Sequence, residues 1–242
     1  MTAADAPIGI LCAMPQEQEL LVAEMGDPPP LPGTTVEARR GQLDGREVVI
    51  SAAGVGKVRA AVAATLLVER FGCRALVLSG VAGGLGTKLG IGDLVIAERV
   101  IDIDYGRLTP EGRIIYQPGT LPIPEEKPEP GYYVSETLLA RIRERLEASH
   151  LDAALGTILT TDAYLASSRD RDELAGEWDG LAIEMEGSAL CGVAELLGVP
   201  WLVVRALSDR AGEESLTDFA EFLESAAADS ARLVRELLPV LD

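Results

Sequence analysis

Histidine occurs once in the 242 residues, as His150, so a Ser-His-Asp triad or a histidine-built metal centre has nothing to be made from. Any acid–base chemistry must rest on carboxylates. Cysteine is also scarce. Cys12, Cys73 and Cys191 are odd in number, widely spaced and set in apolar segments, which argues for small buried thiols in a reduced, cytoplasmic chain rather than a disulfide framework or a zinc site. Basic residues are few: 21 Lys and Arg against 39 Asp and Glu leave a net charge of −18. Such a surface repels nucleic acid and anionic lipid, and no basic cluster overrides it, so neither is expected as a partner. No apolar run reaches the roughly 18 residues needed to span a bilayer. The opening stretch MTAADAPIG lacks a basic region ahead of an apolar one, so no secretory leader is expected.

What is present suits a soluble globular protein: 48% hydrophobic and 25% charged residues, with enough apolar material for a sizeable core. PIGILCAM reads as a buried strand, with Pro15 at a plausible first helical position before QEQELLVAEM. TTVEARRGQL and REVVISAAG read as strands joined by a turn at Asp44-Gly45. VGKVRAAVAATLLVERFG has helical spacing and ends on glycine. RALVLSGVAGG is an apolar strand running into a glycine-rich turn, and GDLVIAERVIDIDYG a long, bent one. Residues 107–131 carry six prolines and no clear period, which predicts a long loop, in the position of a lid. VSETLLARIRERLEAS is a helix opened by Ser135, AALGTILTTD a strand and RDRDELAG a short helix. Strand LAIEM, helix EGSALCGVAELLG, strand PWLVVRALSD and a long final helix complete the chain. The pattern Ser215-Leu216-Thr217-Asp218 predicts a capping box at the start of that helix. Alternating strands and helices with apolar strands indicate an α/β layer fold with a mostly parallel sheet. Without repeats, low-complexity tracts or a linker, residues 1–242 are expected to form a single domain.

The stretch GLAIEMEGSALCGVAELLGVPWLVVRALSD is apolar, yet holds Glu184, Glu186, Arg205 and Asp209. Such side chains are rarely buried unless paired. In open α/β sheets the ligand site lies beyond the carboxyl ends of the strands. Glu184 and Glu186 fall where LAIEM becomes a helix, Asp209 falls where the next strand ends, and Glu17 lies just past the first strand. With SGVAGG, four strand ends deliver polar or glycine-rich groups to one rim. An acid in a first helical turn is explained by the helix dipole alone, and that suffices for Glu19, Glu24 and Glu195. It is a poorer account of Glu17, Glu186 and Asp209 together. The glycine stretches AAGVGKVRAA and SGVAGGLGTKLGIGD complete neither Gly-x-Gly-x-x-Gly nor a Walker A loop, because Val58 follows Gly56-Lys57. Tight strand-to-helix turning accounts for them, and the same glycines would let a ligand approach the backbone closely.

IGILCAMPQEQELL, AAGVGKVRAA, SGVAGGL…IGDLVI, TTDAYL, AIEMEGSA and VVRALSD occur in the order found in the 5′-methylthioadenosine/S-adenosylhomocysteine nucleosidases, which belong to the nucleoside phosphorylase superfamily. The chain resembles that family over nearly its whole length. The resemblance implies a single-domain, three-layer-like α/β fold with a central mixed, barrel-like sheet flanked by helices, in a cytoplasmic homodimer serving methionine salvage. It implies hydrolysis of the N-glycosidic bond of 5′-thio-substituted adenosines by water, with no cofactor and no metal. Carried over residue by residue, Glu17 matches the general base and Asp209 the general acid at adenine N7, oriented by Ser208. Arg205 looks like the residue pairing with the base and water site. Glu186 matches the carboxylate holding the ribose hydroxyls, beside Met185 and Glu184. Tyr164 and Leu165 match the purine-stacking position, Phe219 the aromatic closing over the purine, and Met14, Val81, Ala82 and Gly83 the remaining wall.

The chemistry requires these types. Adenine leaves well only once N7 is protonated, and the sugar becomes oxocarbenium-like while water is deprotonated, the two-carboxylate logic of glycosidases applied to an N-glycoside. Asp209, at an apolar strand end, is expected to have a raised pKa and Glu17, near Arg205, to stay ionised. The chain departs from the family at Val81, where many members carry a serine that helps hold the water. Loss of that hydroxyl, with Glu17 in place of a cation, also weighs against a phosphate-using nucleoside phosphorylase. Residues 105–131 align poorly with the family's 5′-substituent pocket. Futalosine-type or 5′-deoxyadenosine substrates, a phosphorylase, or a non-catalytic nucleoside-binding module therefore stand as alternatives.

Overall fold

The computed structural model describes residues 6–33, 35–123 and 129–242. In chain order its elements are β1 (Ile8–Cys12), α1 (Pro15–Glu24), β2 (Glu37–Leu43), β3 (Arg46–Ala52), α2 (Lys57–Glu69), β4 (Ala75–Gly84), β5 (Leu94–Asp102), β6 (Gly106–Thr109), β7 (Gly112–Ile115), β8 (Tyr132–Tyr133), α3 (Glu136–Ser149), β9 (Ala154–Thr160), α4 (Ser168–Trp178), β10 (Gly180–Glu184), α5 (Gly187–Leu197), β11 (Trp201–Asp209) and α6 (Ser215–Leu237).

The centre is a closed five-stranded barrel. β4 pairs with β11 in parallel, β11 with β5 antiparallel, β5 with β9 and β9 with β10 in parallel, and β10 returns antiparallel to β4. Closure depends on how β4 is shared. Its first half, Ala75 to Leu78, pairs with β1, whereas Gly83 and Gly84 at its end pair with β10. β1 then extends the sheet outward to β3 in parallel, and β3 to β2 through the Asp44-Gly45 turn. Both turn residues have positive φ, 50° and 78°, the conformation that a two-residue hairpin requires. The sheet is therefore mixed: parallel ladders prevail, as the strand–helix alternation suggests, but antiparallel ones close the barrel. Two of the five barrel ladders are antiparallel, because the chain enters β5 and β10 against the direction of their neighbours β11 and β4.

Apolar strands become the core because helices or barrel interior cover both of their faces. All nine residues of β11 are buried, and α6 packs against β11 and β4 with Ala226, Ala227, Ala231 and Val234 inward. The free thiols of Cys12, Cys73 and Cys191 all lie within this core, as their apolar neighbours predict.

Two local expectations are corrected. Residues 107–131 are not one long loop: β6 and β7 form a hairpin across the Pro110-Glu111 turn. Residues 124–128 lie outside the described part of the segment. At α6 the capping position is Glu214, and Ser215 already belongs to the first turn, so the expected capping box does not form. Ser135 does cap α3, its side chain accepting from the backbone of Leu138.

Candidate active site

Where β1 ends, Met14 caps α1, Pro15 opens it and Glu17 falls in its first turn, with its side chain folded back toward the barrel. One carboxylate oxygen of Glu17 accepts from the backbone N–H of Ala13 at 2.7 Å and of Met14 at 2.9 Å. The other accepts from Val81 N–H of β4 at 3.0 Å. Three backbone donors stabilise the charged form, as does the Arg205 guanidinium 3.9 Å away. Burial outweighs them, and the pKa of Glu17 is raised. Arg205 pulls against that rise, in the expected direction, without cancelling it.

Glycine at position 80 is what permits this approach. A Cβ there would fall on the carboxylate of Glu17 and the guanidinium of Arg205. Gly80→Ala is expected to displace Glu17 by about 1 Å and to cost on the order of 10²-fold in kcat/KM. A variant within twofold of wild type in initial rate would show that the close approach is unnecessary.

β10 delivers the second group of acids. Glu184, its last residue, accepts from Thr160 Oγ1 at 2.5 Å, from Glu186 N–H at 3.1 Å, from Gly187 N–H at 2.8 Å and from Arg205. It lines the cavity, but its oxygens are fully engaged, so its work is to fix the start of α5 and Arg205 rather than to hold a ligand. Glu186 caps α5. Its Oε1 accepts from Gly56 N–H at 2.8 Å and its Oε2 from Arg205 Nη2 at 3.0 Å. Burial is the largest influence on Glu186, with Glu184 and Glu17 adding like charge against the pull of Arg205, and its pKa is raised to about 7.

The sign of the linkage follows. A carboxyl raised from 4.5 to about 7 on folding binds its proton more tightly in the native state, so it stabilises the fold below about pH 4.5. That contribution is lost as the pH rises to 7. Thermal melts of the free protein between pH 4 and 8 should show this decline, and Glu186→Gln should flatten it. An unchanged slope would place the titration elsewhere.

Arg205 sits in the middle of β11 and is fully buried. Burial works against its charge, but Glu184, Glu186 and Glu17 outweigh that and hold its pKa up. It lies behind the acids rather than on the cavity wall, with Nη1 3.9 Å from Glu17, the residue expected as general base. Its Nη1 and Nε find no hydrogen-bond acceptor among the described residues.

At the end of the same strand, Asp209 accepts from Ser208 Oγ at 2.9 Å and from Ala211 N–H at 2.8 Å. Burial raises its pKa against both bonds. These acids surround a cavity that is open to solvent. Glu17, Glu184, Glu186 and Asp209 all line it, as do Met14, Val81, Ala82, Gly83, Tyr164, Leu165, Met185, Ser208 and Phe219. Tyr164 and Phe219 meet edge to face at the wall, with ring centroids 6.4 Å apart. Val81 packs with Ala206, Met14 and Phe219, so the wall beside Glu17 is apolar. Sequence reasoning missed Val55, Ile183 and Ala211 on the wall, with Ala13 and Ala163 beside them, and Gly56 as a donor to Glu186. The first three are apolar residues carrying no chemical signal, whereas Gly56 had been noticed as part of a glycine pattern.

Residues 7–239 match the family model described as the phosphorylase superfamily. The chain is 44% identical to a 5′-methylthioadenosine/S-adenosylhomocysteine nucleosidase of Mycobacterium bovis, covering 97% of each. It is 31% identical to the structure of such a nucleosidase from S. pneumoniae with the transition-state inhibitor MT-ImmA, with a TM-score of 0.84 over 98% of this chain and 100% of that one. Futalosine hydrolase of Helicobacter pylori is similar too, at 30% identity and a TM-score of 0.85 over 97% of this chain and 98% of that one.

Proposed function

The chain belongs to the phosphorylase superfamily, in its 5′-methylthioadenosine/S-adenosylhomocysteine nucleosidase branch, and we propose that it hydrolyses the N-glycosidic bond of 5′-thio-substituted adenosines by carboxylate general acid–base catalysis. The observation that carries the mechanism is that Glu17, Glu186 and Asp209, distant in sequence, are buried around one cavity.

In this reading, Asp209 gives its proton to adenine N7, which makes the base a neutral leaving group. Its raised pKa supports that role, because a general acid must hold its proton near working pH. Ser208 orients the carboxyl. Glu186 holds the ribose hydroxyls and, when ionised, stabilises the positive sugar. Glu17 takes a proton from water as the oxygen attacks the anomeric carbon. Glu17 holds the water, and Arg205 Nη1, 3.9 Å from the same carboxylate, supports it in place of the hydroxyl that Val81 does not supply. Tyr164 and Phe219 enclose the purine and Met185 lies against the sugar. The products are adenine and the 5′-thio-ribose. No step calls for a cofactor.

Several finer features belong to the same proposal. Residues 1–242 act as one catalytic domain, and the enzyme works in the cytoplasm in methionine salvage. No helix among the described residues is long and apolar enough to cross a membrane. We place a homodimer contact on α2, whose Val58 and Val62 are exposed one turn apart, next to Val55 of the cavity wall. Likeness to futalosine hydrolase favours a second reading, in which the same acids serve a different 5′ substituent.

The deciding experiment incubates the protein with 5′-methylthioadenosine, S-adenosylhomocysteine, futalosine and 5′-deoxyadenosine, with and without phosphate, and follows the free base by chromatography. Phosphate-independent adenine release from the thio-substrates is expected. Release that requires phosphate would overturn hydrolysis, and cleavage of futalosine alone would select the second reading.

A further inference from the structure

The Gly56-Lys57 turn between β3 and α2 completes no nucleotide-binding motif, yet it touches two walls of the cavity. Gly56 has φ of 100°, a conformation that favours glycine, and turns its N–H to Glu186 Oε1 at 2.8 Å. The next N–H, that of Lys57, donates to Asp162 Oδ1 at 3.0 Å, two residues before Tyr164. The Lys57 ammonium lies 3.0 and 3.1 Å from the oxygens of Asp102 and 2.8 Å from Asp104. Asp102 ends β5 and also accepts from Ser188 Oγ in the first turn of α5 at 3.1 Å. Asp104 accepts from Thr161 Oγ1 at 2.9 Å and from Asp162 N–H at 2.7 Å, and Arg113 approaches it at 3.4 Å. One ammonium thus joins the ends of β5 and β9 and the start of α5 to the N-terminus of α2.

We infer that Lys57 is a positioning residue, whose clamp on Asp102 and Asp104 holds α2 so that its first two backbone N–H groups fix the ribose-facing carboxylate of Glu186 and the purine-facing loop at Asp162–Leu165. This rests on the proposed roles of Glu186 and Tyr164. The bridge is not an ordinary surface pair. The Lys57 side chain is 18% exposed and that of Asp102 9%, and one cation serves Asp102 and Asp104 with Asp162 3.9 Å away, so removing it leaves like charges facing each other in a partly desolvated site. Burial pulls the ammonium down, but the bonds to Asp104 and Asp102 outweigh it and hold Lys57 above the ordinary lysine value. Without the clamp the acids separate, the α2 terminus retreats, and Glu186 loses the donor on Oε1.

The test is a double-mutant cycle on the full chain with Lys57→Met and Glu186→Ala. It reads the affinity for a non-hydrolysable 5′-methylthioadenosine analogue by calorimetry, with KM and kcat for 5′-methylthioadenosine alongside. Lys57→Met is expected to weaken analogue binding about tenfold when Glu186 is present and less than threefold when it is alanine. Lys57→Arg should restore most of the loss. Equal losses in both backgrounds, or no loss at all, would overturn the inference. If Lys57→Met does not fold, the charge-balanced Lys57→Met/Asp104→Asn variant takes its place in the same cycle. A wild-type protein that neither binds the analogue nor releases adenine would sink the functional reading and the inference with it. Tight wild-type binding with an additive cycle would sink the role of Lys57 alone.

Discussion

Asp209→Asn is expected to lower kcat for adenine release by about 10²–10⁴-fold while melting close to wild type. The amide keeps an oxygen for Ala211 N–H, and its NH₂ can donate to Ser208 Oγ, whose hydroxyl then turns to the Ala82 carbonyl 3.3 Å away. Removing a carboxyl whose charge is opposed by burial relieves the fold at neutral pH. Glu17→Gln should lose activity on the same scale but also be less stable. Both oxygens of Glu17 face backbone N–H groups, so the amide must point its donor at a donor, which costs about 1–3 kcal/mol. Initial rates with 5′-methylthioadenosine and thermal melts of both variants check this. Full activity in Asp209→Asn would end the acid assignment. Equal stability in the two variants would contradict the hydrogen-bond geometry.

The second large effect is one of stability. Arg205→Met removes the cation that faces Glu17, Glu184 and Glu186. Replacing one partner of a buried ion pair costs about 3–5 kcal/mol, because a charge is left uncompensated. Glu17 and Glu186, whose pKa values burial already raises, hold their protons more tightly once the cation is gone. The deficit should therefore be largest near pH 8 and shrink as the pH falls toward 5 and these carboxyls take up protons. Denaturant unfolding at both pH values measures it. A deficit that does not depend on pH would mean that Arg205 acts through packing alone.

Much of this site was legible because chemistry sits where periodicity changes. Glu186 and Asp209 stand where an apolar strand stops, Glu17 just inside the helix after one, and the fold brings those ends to one rim. The barrel was not legible from the alternation of elements, because it depends on two antiparallel ladders that leave no mark in hydrophobic spacing. The resemblance, not the pattern, carried that expectation. Arg205 illustrates another limit. In a strand buried on both faces, a two-residue period cannot say toward which side a charged residue points, so its place behind the acids rather than on the cavity wall was hidden. The β6–β7 hairpin was obscured by the prolines around it, although Pro110-Glu111 followed by Gly112 is ordinary turn chemistry. Gly56 had been read as a turn residue, which it is. That its N–H also reaches Glu186 depends on a contact 130 positions away in sequence.

The return of β10 to β4 spans just two residue pairs, Ala182 with Gly84 and Ile183 with Gly83, and Gly83 is also the partner of Asp209 in β11. The cylinder is therefore latched by its shortest zip at the very residue that backs the proposed proton donor. Loosening this latch shifts the donor without disturbing the longer ladders. Amide exchange at Ala182 and Ile183 should outpace that at Val203 and Val204 in the free protein and slow when a nucleoside analogue fills the cavity; equal protection at both places would mean that the cylinder opens only as a whole.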